Sequence, residues 1–511
     1  MRTEYALKNI VLQTTALAVG VVLYFICTPY LVDTLGVEVF GVNQLLLQTI
    51  GYFGLAELGV GISLSVLLYK EIVQNNRENI NALLSAAHRL YMLIGLSVFV
   101  VGGLFSFFIS DIFSLDVSVS TDAQIAFMCY VTSATVSYFS SVPIILMNTA
   151  QKAYKNYVYI LLKPILTYLG YVVLVYYGYS IVGVACVSLS ATLWTLYGFN
   201  KNAKKEFPWL NIWSKQKNYA ILNTSKYVFI EKLLVVVLFQ TDIILITYFL
   251  GVEHVAGYSI YAVFFFYIKE IMLIGTNNII SGAGEMYQKN EIENIVFLWK
   301  DALSIVFFVS SQLCVAIFFL FPHFFTLWIN SDLLLGPEVL FFCVINLFYI
   351  LTVNVTTAIV GSKNIYKEKM KGSFVEVILN IGFSCALIPK YGILGAVVGT
   401  TIGHYCVSAW FIPYLFLKTV KQNMSLYLTI IARYVFVVVA LVVLSWFFYN
   451  GILVVYFDQL SSWTYLLLSC LVFGVFLFVV TSFLFYLLDP NFKKAYIRIL
   501  FFVQLFFNKN S

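Results

Sequence analysis

The sequence has few charged residues and no polar region long enough to form a soluble domain. Only 11% of its 511 residues are charged, whereas 61% are hydrophobic, and the mean hydropathy is +0.91. Soluble domains are about one quarter charged, so this composition excludes a water-soluble globular protein. Strict alternation of polar and apolar residues, which is typical of a transmembrane barrel, is not the dominant pattern. The composition therefore predicts an all-α integral membrane protein.

Motifs for ATP hydrolysis, metal binding and catalysis are also missing. The sequence has no Walker motif, which excludes an ATP-driven pump, and no nucleophile paired with a general base. The eight cysteines have neither the spacing of a metal site nor that of a disulfide framework. All of them lie within apolar blocks, at Cys27, Cys129, Cys186, Cys314, Cys343, Cys385, Cys406 and Cys470. We therefore predict no enzyme activity, no catalytic residue, no metal and no cofactor.

What the sequence does contain is a series of apolar blocks, most of them long enough to cross a bilayer, which takes roughly 20 residues per helix. The first block is too long for the apolar core of a signal peptide, so we predict that it is the first membrane helix. There are fourteen blocks, near residues 9–32, 41–69, 90–113, 124–149, 157–177, 180–200, 222–249, 256–281, 301–322, 337–361, 372–389, 393–417, 428–450 and 464–488. The sequence thus predicts about 14 transmembrane helices.

Lysine and arginine are concentrated in every second connection between these blocks. Arg2 and Lys8 precede the first block, and connection 201–221 contains the largest group of lysines, whereas the intervening loops are mainly acidic. Positively charged loops stay in the cytoplasm. We therefore expect a multi-pass protein of a bacterial cytoplasmic membrane with both termini cytoplasmic. This loop pattern explains the net charge of +6, so the charge does not imply a nucleic-acid partner.

An internal repeat organises the chain. Leu35-Gly36-Val37-Glu38 recurs as Leu250-Gly251-Val252-Glu253, and both copies lie between two apolar blocks. Tyr177-Gly178 recurs as Tyr391-Gly392 at almost the same offset along the chain. Self-similarity at a fixed period indicates a duplicated architecture, and parallel repeats in transporters place the substrate site between the two halves. We therefore expect two parallel six-helix repeats around a central cavity, with two extra C-terminal helices.

The repeat and the loop charges together predict five regions. Residues 1–200 form an N-terminal six-helix lobe, and residues 201–221 form a basic cytoplasmic linker. Residues 222–420 form a C-terminal six-helix lobe, and residues 421–490 contain transmembrane helices 13 and 14. Residues 491–511 alternate cations with apolar residues, as in an amphipathic helix at the membrane surface, and form a cytoplasmic tail.

Charged residues within apolar blocks are the first candidates for a substrate site, because a charge at bilayer depth must face a cavity or a partner. Lys269 is the candidate anchor for an anionic group. Tyr258, Lys269 and Thr276 are spaced by eleven and seven residues and so share one helical face. The alternative is that Lys269 forms a structural ion pair with Glu57 or Asp242.

Further polar residues extend the predicted substrate site. Asn277, Gln44 and Gln48 supply amides, although residues of this kind also join membrane helices by hydrogen bonds. Lys163 and Lys232 either line a cytoplasmic vestibule or extend to the headgroups along their own helices.

Glu57, Asp242 and Glu270 are candidates for proton or sodium coupling, because a carboxylate in a low dielectric titrates near neutral pH. Alternatively, these carboxylates only pair with a lysine or with backbone groups. His404 is either a proton switch or a packed, hydrogen-bonded histidine, and Glu376 lies near the cytoplasmic end of its block.

Three motifs together have a recognisable order. They are Leu35-Gly36-x-Glu38-x-Phe40-Gly41, Glu57-Leu58-Gly59-Val60-Gly61 and Gln240-Thr241-Asp242. On these motifs the whole chain resembles the polysaccharide-repeat-unit flippases, in the polysaccharide-transport branch of the multidrug/oligosaccharidyl-lipid/polysaccharide exporter superfamily.

The resemblance implies a flippase that works by alternating access. Its substrate would be an undecaprenyl-pyrophosphate-linked oligosaccharide, moved from the inner to the outer leaflet for capsule, exopolysaccharide or O-antigen assembly. Lys269 would face the pyrophosphate. The implied partners are membrane lipids, a proton or sodium ion, and a polysaccharide polymerase.

Three other functions fit parts of the pattern. A multidrug exporter of the same architecture would favour an acidic cavity for cationic drugs, and a lipid II flippase belongs to the same transport class. A membrane-embedded glycan polymerase or ligase would need an outer-face arginine or histidine, which the sparse outer loops do not offer.

Overall fold

The computed structural model describes residues 2–54, 60–214, 218, 226–329, 331–363, 365–453 and 463–493. Within these residues the regular elements are helical. The α-helices are α1 (Arg2–Leu35), α2 (Val37–Phe53), α3 (Val60–Val73), α4 (Arg77–Ile112), α5 (Val117–Phe139), α6 (Ser141–Thr149), α7 (Tyr157–Tyr176), α8 (Ile181–Glu206), α9 (Lys226–Leu250), α10 (Glu253–Gln288), α11 (Ile292–Trp328), α12 (Pro337–Ser362), α13 (Tyr366–Tyr391), α14 (Ile393–Gly403), α15 (Ala409–Thr419), α16 (Met424–Phe448) and α17 (Trp463–Leu488). A π-helical turn, His404–Ser408, joins α14 to α15, and another, Tyr449–Leu453, follows α16.

The prediction of an all-α membrane protein is confirmed, and its count of 14 helices is approximate. In the described residues, 12 helices are long and apolar enough to cross a membrane, or 13 if the bent pair α5 and α6 forms one span. The predicted block 41–69 divides between α2, with 17 residues, and α3, with 14. A membrane span takes roughly 20 residues, so neither α2 nor α3 alone is long enough to be counted as a span. Residues 55–59 between them lie outside the described residues.

The bend between α5 and α6 has a local cause. The two helices meet at Ser140 with an angle of 53°, and Pro143 is the third residue of α6. Proline has no N–H group to bond to the carbonyl four residues earlier, which here belongs to Phe139, the last residue of α5. The helix axis therefore changes direction at this place.

The internal repeat is visible in the backbone of the turns. Gly36 and Gly251, at the start of the two Leu-Gly-Val-Glu motifs, have φ angles of 82° and 97°. The second repeated pair, Gly178 and Gly392, has φ angles of 83° and 60°. Glycine adopts this left-handed region without the steric penalty of a Cβ atom. The repeated glycines thus end equivalent helices in the two halves of the sequence.

A third pair of equivalent turns lies at Asn75 and Asn290, which are separated by the same offset as the Leu-Gly-Val-Glu motifs and have φ angles of 52° and 57°. The asparagine N–H bonds to a carbonyl three residues earlier at 3.2 Å in both turns, Ile72 in one and Tyr287 in the other. The N–H of the next residue bonds to a carbonyl five residues earlier, at 3.0 Å in both. Asparagine tolerates the left-handed region better than most residues. The duplication therefore extends to these turns, which also share the sequence pattern Asn-x-x-Glu-Asn-Ile.

The chain divides into two compact units. The first contains Met1–Val263 with Ser384–Ala396, and the second contains Phe264–Phe383 with Val397–Ser511. Their boundary falls within α10 rather than at the basic connection. The five regions deduced from the repeat and the loop charges stay a prediction.

In the first compact unit, α4 packs on α5, α5 on α8, and α1 on α7, while α2 packs on both α5 and α9. The segment after α8 lies along the first turns of α4. The Asn81 amide donates to the Trp209 carbonyl and accepts from the Asn211 N–H, and Ser85 bonds to both Asn211 and Ser214. The first part of the predicted basic linker is therefore attached to this unit.

In the second compact unit, the last two long helices are held by a buried carboxylate. Asp489, 1% exposed, follows α17 and accepts hydrogen bonds from Ser304 of α11 and from Tyr434 of α16, the latter at 2.9 Å. Arg433 lies 3.6 Å from the other carboxylate oxygen. One side chain thus connects three helices, and it anchors α16 and α17 to the repeat.

Candidate functional site

The structure joins two predicted site residues in the first compact unit. Asp242, 7% exposed in α9, accepts a hydrogen bond of 2.8 Å from the hydroxyl of Tyr258 in α10. From the sequence, Asp242 is a candidate for ion coupling and Tyr258 is a candidate for substrate binding. Their contact places both residues in one polar cluster.

Two further side chains complete this cluster. The Tyr52 hydroxyl of α2 lies 2.9 Å from the Thr241 hydroxyl, which itself donates to the Val237 carbonyl one turn earlier in α9. Thr241 is next to Asp242 in the chain. Gly51 of α2 leaves room for the end of the Gln240 side chain: a Cβ atom there would lie 2.1 Å from its amide oxygen, so the side chain would have to move. We call Tyr52, Thr241, Asp242 and Tyr258 the Asp242 cluster.

The chemistry of the Asp242 cluster is that of a small cation site. A carboxylate removed from water is stable only when it is paired, hydrogen-bonded or protonated. Tyrosine and threonine hydroxyls can both donate to a carboxylate and offer lone pairs to a cation. The cluster therefore suits a proton, a metal ion or an ammonium group, and it does not suit a phosphate.

Lys269 lies in α10, in the second compact unit. Its ammonium group is 3.2 Å from a Glu270 carboxylate oxygen and 4.6 Å from the centre of the Phe266 ring, and the side chain is 19% exposed. Adjacent residues on a helix do not face each other, so this ion pair is of modest strength. The sequence offered Glu57 and Asp242 as ion-pair partners of Lys269, and Glu57 lies outside the described residues.

The other predicted site residues are placed as follows. Gln44 and Gln48 are half-buried on α2, and Lys163 is exposed on α7. Thr276 and Asn277 lie in α10 and Lys232 lies in α9, but their side chains are outside the described residues. The roles assigned to these residues stay predictions.

A pocket of about 450 Å³ lies among the turns of the first compact unit. It is lined by residues of the turns between α1 and α2, α4 and α5, and α9 and α10, including Glu38, Asp116 and Glu253. In the described part of the chain, no three acidic, histidine or cysteine side chains are grouped closely enough to hold a metal ion. The negative charge of this pocket disfavours an anionic ligand.

A second buried polar cluster lies in the second compact unit. Glu376 of α13 and His404 of the π-helical turn are in contact, with 2.7 Å between Oε1 and Nδ1, and Ser408 donates to Oε2. His404 is thus packed and hydrogen-bonded in this structure, and its role as a proton switch stays a prediction.

Sequence reasoning missed Tyr52, Thr241 and Ser408 as members of these clusters. A signal for Tyr52 was present, because another tyrosine, Tyr267, occupies the equivalent position of the second repeat. Ser408 follows His404 by four residues, which is the spacing of one helical face. Thr241 was noted only as part of a motif.

Residues 6–264, just over half of the chain, match the sequence profile of a family described as "Polysaccharide biosynthesis protein". The chain belongs to this family. The family predicted from the three motifs is therefore confirmed. Comparison with curated proteins gives no match.

Solved structures show what fold this member of the polysaccharide biosynthesis family has. It superposes on the lipid II flippase MurJ, in an inward closed conformation, with a TM-score of 0.67 and 14% identity over 95% of this chain and 99% of that one. An inward-facing multidrug resistance MATE family transporter of the MOP superfamily gives a TM-score of 0.65 and 15% identity, over 81% and 94% of the two chains. A MOP superfamily transporter from Pyrococcus furiosus gives 0.58 and 15%, over 81% and 95%. The family member thus has the fold of the MOP superfamily transporters.

Proposed function

We propose that the protein is a flippase that moves undecaprenyl-pyrophosphate-linked oligosaccharide repeat units from the inner to the outer leaflet by alternating access. The observation that carries this proposal is the match to a polysaccharide biosynthesis family by a chain made almost entirely of membrane helices. Polysaccharide assembly outside the cell requires that building blocks cross the membrane, and the protein similar in fold over 95% of this chain is described as a lipid II flippase.

The physical task of such a flippase is to shield polar groups from hydrocarbon. Transfer of a sugar hydroxyl or a phosphate from water to hydrocarbon without a new hydrogen-bond partner has a free-energy cost on the order of several kcal/mol. Lys269 is our candidate for the pyrophosphate. Its ion pair with the adjacent Glu270 is weak enough to be exchanged for a phosphate oxygen, and Phe266 supports the ammonium group.

The Asp242 cluster is our candidate for ion coupling. Its carboxylate is buried and bonded to Tyr258. A proton or a sodium ion would neutralise it, and the hydrogen bond from the Tyr258 hydroxyl would transmit that change to α10.

We further propose that the protein resides in the bacterial cytoplasmic membrane with both termini in the cytoplasm, and that it supplies a polysaccharide polymerase. The alternation of loop charges supports this orientation.

A multidrug exporter is the second candidate function. The buried carboxylate of Asp242, with its tyrosine and threonine neighbours, would also suit an ammonium group of a cationic drug. One of the transporters of similar fold is described as a multidrug resistance transporter.

Deletion and complementation in the native host separate the two functions. Under our proposal, deletion removes the surface polysaccharide and leaves drug sensitivity unchanged, and Lys269→Ala fails to restore the polysaccharide at normal protein level. Lys390→Ala is the matched control, because Lys390 is exposed and belongs to no predicted site. Normal polysaccharide together with raised drug sensitivity in the deletion strain would instead support the exporter.

A further inference from the structure

The contact between Glu376 and His404 is deeply buried. The two residues are 5% and 1% exposed, and the carboxylate Oε1 lies 2.7 Å from the imidazole Nδ1. The Tyr349 ring of α12 stacks on the imidazole at a centroid distance of 4.3 Å and an angle of 21°. The carboxylate and the imidazole are therefore shielded on several sides by protein.

Both residues belong to segments that could span a membrane. The segments Lys367–Tyr391 and Ile393–Thr419, which contain them, are each long and apolar enough to do so. Glu376 is five residues beyond Lys371, the last lysine in the first turns of α13, which is roughly 7.5 Å along a helix. A net charge buried at this position is unfavourable unless it is neutralised.

The number of protons on the pair decides its net charge. With one proton, the pair is either carboxylate with imidazolium or carboxylic acid with neutral imidazole, and both forms are neutral. Without that proton the pair has one negative charge. Within the described residues, His404 is the only basic side chain at ion-pair distance from Glu376. Loss of the proton therefore requires either water or a change of structure.

The other titratable groups around the pair do not supply a cation. They are Tyr349 on α12, Tyr405 on the same π-helical turn, Tyr427 on α16 and Cys314 on α11. All of these side chains are neutral when protonated. The pair is thus the group in this cluster that can accept a positive charge.

The helix around His404 has a form that can change. His404–Ser408 is a π-helical turn between two α-helical segments, and π-helical turns occur frequently at functional sites. Both end residues of the turn contact the same carboxylate. A π turn contains one residue more than an α turn. Conversion of the π turn to an α turn would therefore rotate one of its ends by about 100° about the helix axis, and either His404 or Ser408 would lose its contact with Glu376.

We propose that Glu376 and His404 form a proton-binding site, distinct from the Asp242 cluster, that takes up one proton from water in one conformation and releases it in another. The bound proton bridges carboxylate and imidazole and holds the π-helical turn in place. The assignment of this proton as the coupling ion of export rests on the proposed flippase function; proton binding itself does not.

The first experiment measures proton binding directly. The purified full-length protein, in lipid nanodiscs and labelled with isotopes in its histidine rings, is titrated by NMR between pH 5 and pH 10. The chain has four histidines, and His88→Gln, His254→Gln and His323→Gln variants assign the His404 signal by elimination. This assignment needs no substitution inside the proposed site.

We expect the His404 protonation midpoint in the wild type to lie at least about one pH unit above that in Glu376→Gln, which is a tenfold difference in proton affinity. His323, which contacts the Tyr449 hydroxyl at 2.6 Å, is the internal control, and its midpoint stays unchanged. A wild-type His404 that does not titrate in this range, or equal midpoints in the two proteins, would overturn the proposal. If Glu376→Gln does not fold, the titration of His404 in the wild type alone still tests the proposal.

The second experiment tests the coupling. In the complemented host, we expect Glu376→Gln and His404→Gln to lower surface polysaccharide at least about tenfold at normal protein level, whereas His323→Gln leaves it unchanged. Normal export by variants with an altered titration would refute the coupling role. If the wild-type gene does not change the amount of surface polysaccharide in the deletion strain, the flippase function is refuted. The proposed proton site is not affected by that result.

Discussion

Replacement of Tyr258 by phenylalanine tests whether Asp242 is charged in the resting protein. The substitution removes one hydroxyl, and with it the hydrogen bond of 2.8 Å to Asp242. A hydrogen bond to a charged group contributes about 1.5–3 kcal/mol, whereas a neutral one contributes about 0.5–1.5 kcal/mol. If Asp242 is ionised, Tyr258→Phe should therefore lower the free energy of unfolding by the larger amount.

The first compact unit contains a matched control. The buried Tyr130 hydroxyl donates to the Asn43 side chain at 2.7 Å, and both partners of this bond are neutral. Tyr130→Phe thus removes a tyrosine hydrogen bond of similar length, at a more buried position, without a charge. The difference between the two variants, about 1 kcal/mol or more, measures the charge on Asp242.

The assay is reversible unfolding of the purified protein in mixed micelles, performed on Tyr258→Phe, Asp242→Asn and the double variant. The interaction energy from this cycle isolates the pair from the effects of each single change. Two results would refute the reasoning. One is an interaction energy near zero, and the other is a loss in Tyr258→Phe no larger than that in Tyr130→Phe.

Three further predictions follow from the fold and the site. Gly251→Ala should destabilise the protein by roughly 1 kcal/mol, because Gly251 has a φ angle of 97°; the same loss at Gly36 would support the repeat, and no loss at either would contradict it. Asp489→Ala should destabilise it by about 3 kcal/mol or more, because it leaves Tyr434 and Ser304 without their buried acceptor, and unfolding of the purified variant checks this. Lys269→Ala should abolish surface polysaccharide while Lys390→Ala does not, as measured by polysaccharide extraction at equal protein level.

Most of the fold could be predicted from the sequence because membrane helices are long and their order follows from hydropathy. The glycine pairs of the repeat were also visible, since glycine is the residue that a left-handed turn requires. The helix count was less accurate at α2 and α3. Their apolar residues form one continuous block in the sequence, and hydropathy alone does not mark where such a block divides.

The equivalence of Asn75 and Asn290 could also have been found in the sequence. Both turns begin the pattern Asn-x-x-Glu-Asn-Ile, which ends at Ile80 in one copy and at Ile295 in the other. The structure adds that the two turns have the same backbone hydrogen bonds and an asparagine in the left-handed conformation.

For the candidate sites, sequence position explains which contacts could have been foreseen. Asp242 is nine residues before the turn at Gly251 and Tyr258 is seven residues after it. In a helical hairpin these distances correspond to similar depths, roughly 14 Å and 10 Å from the turn. Glu376 and His404 are sixteen and twelve residues from Gly392, roughly 24 Å and 18 Å along their helices. The contact of Asp242 with Tyr258 thus follows from depth, whereas the contact of Glu376 with His404 does not follow from depth alone.

Tyr52 and Thr241 are different, because 189 residues separate them and their helices are not consecutive. Their contact depends on α2 packing against α9, where Gly51 leaves room for the end of the Gln240 side chain. Nothing in the local sequence of either helix specifies the other as its neighbour. The polar residues that join one hairpin to the next are therefore the part of this site that only the three-dimensional structure could supply.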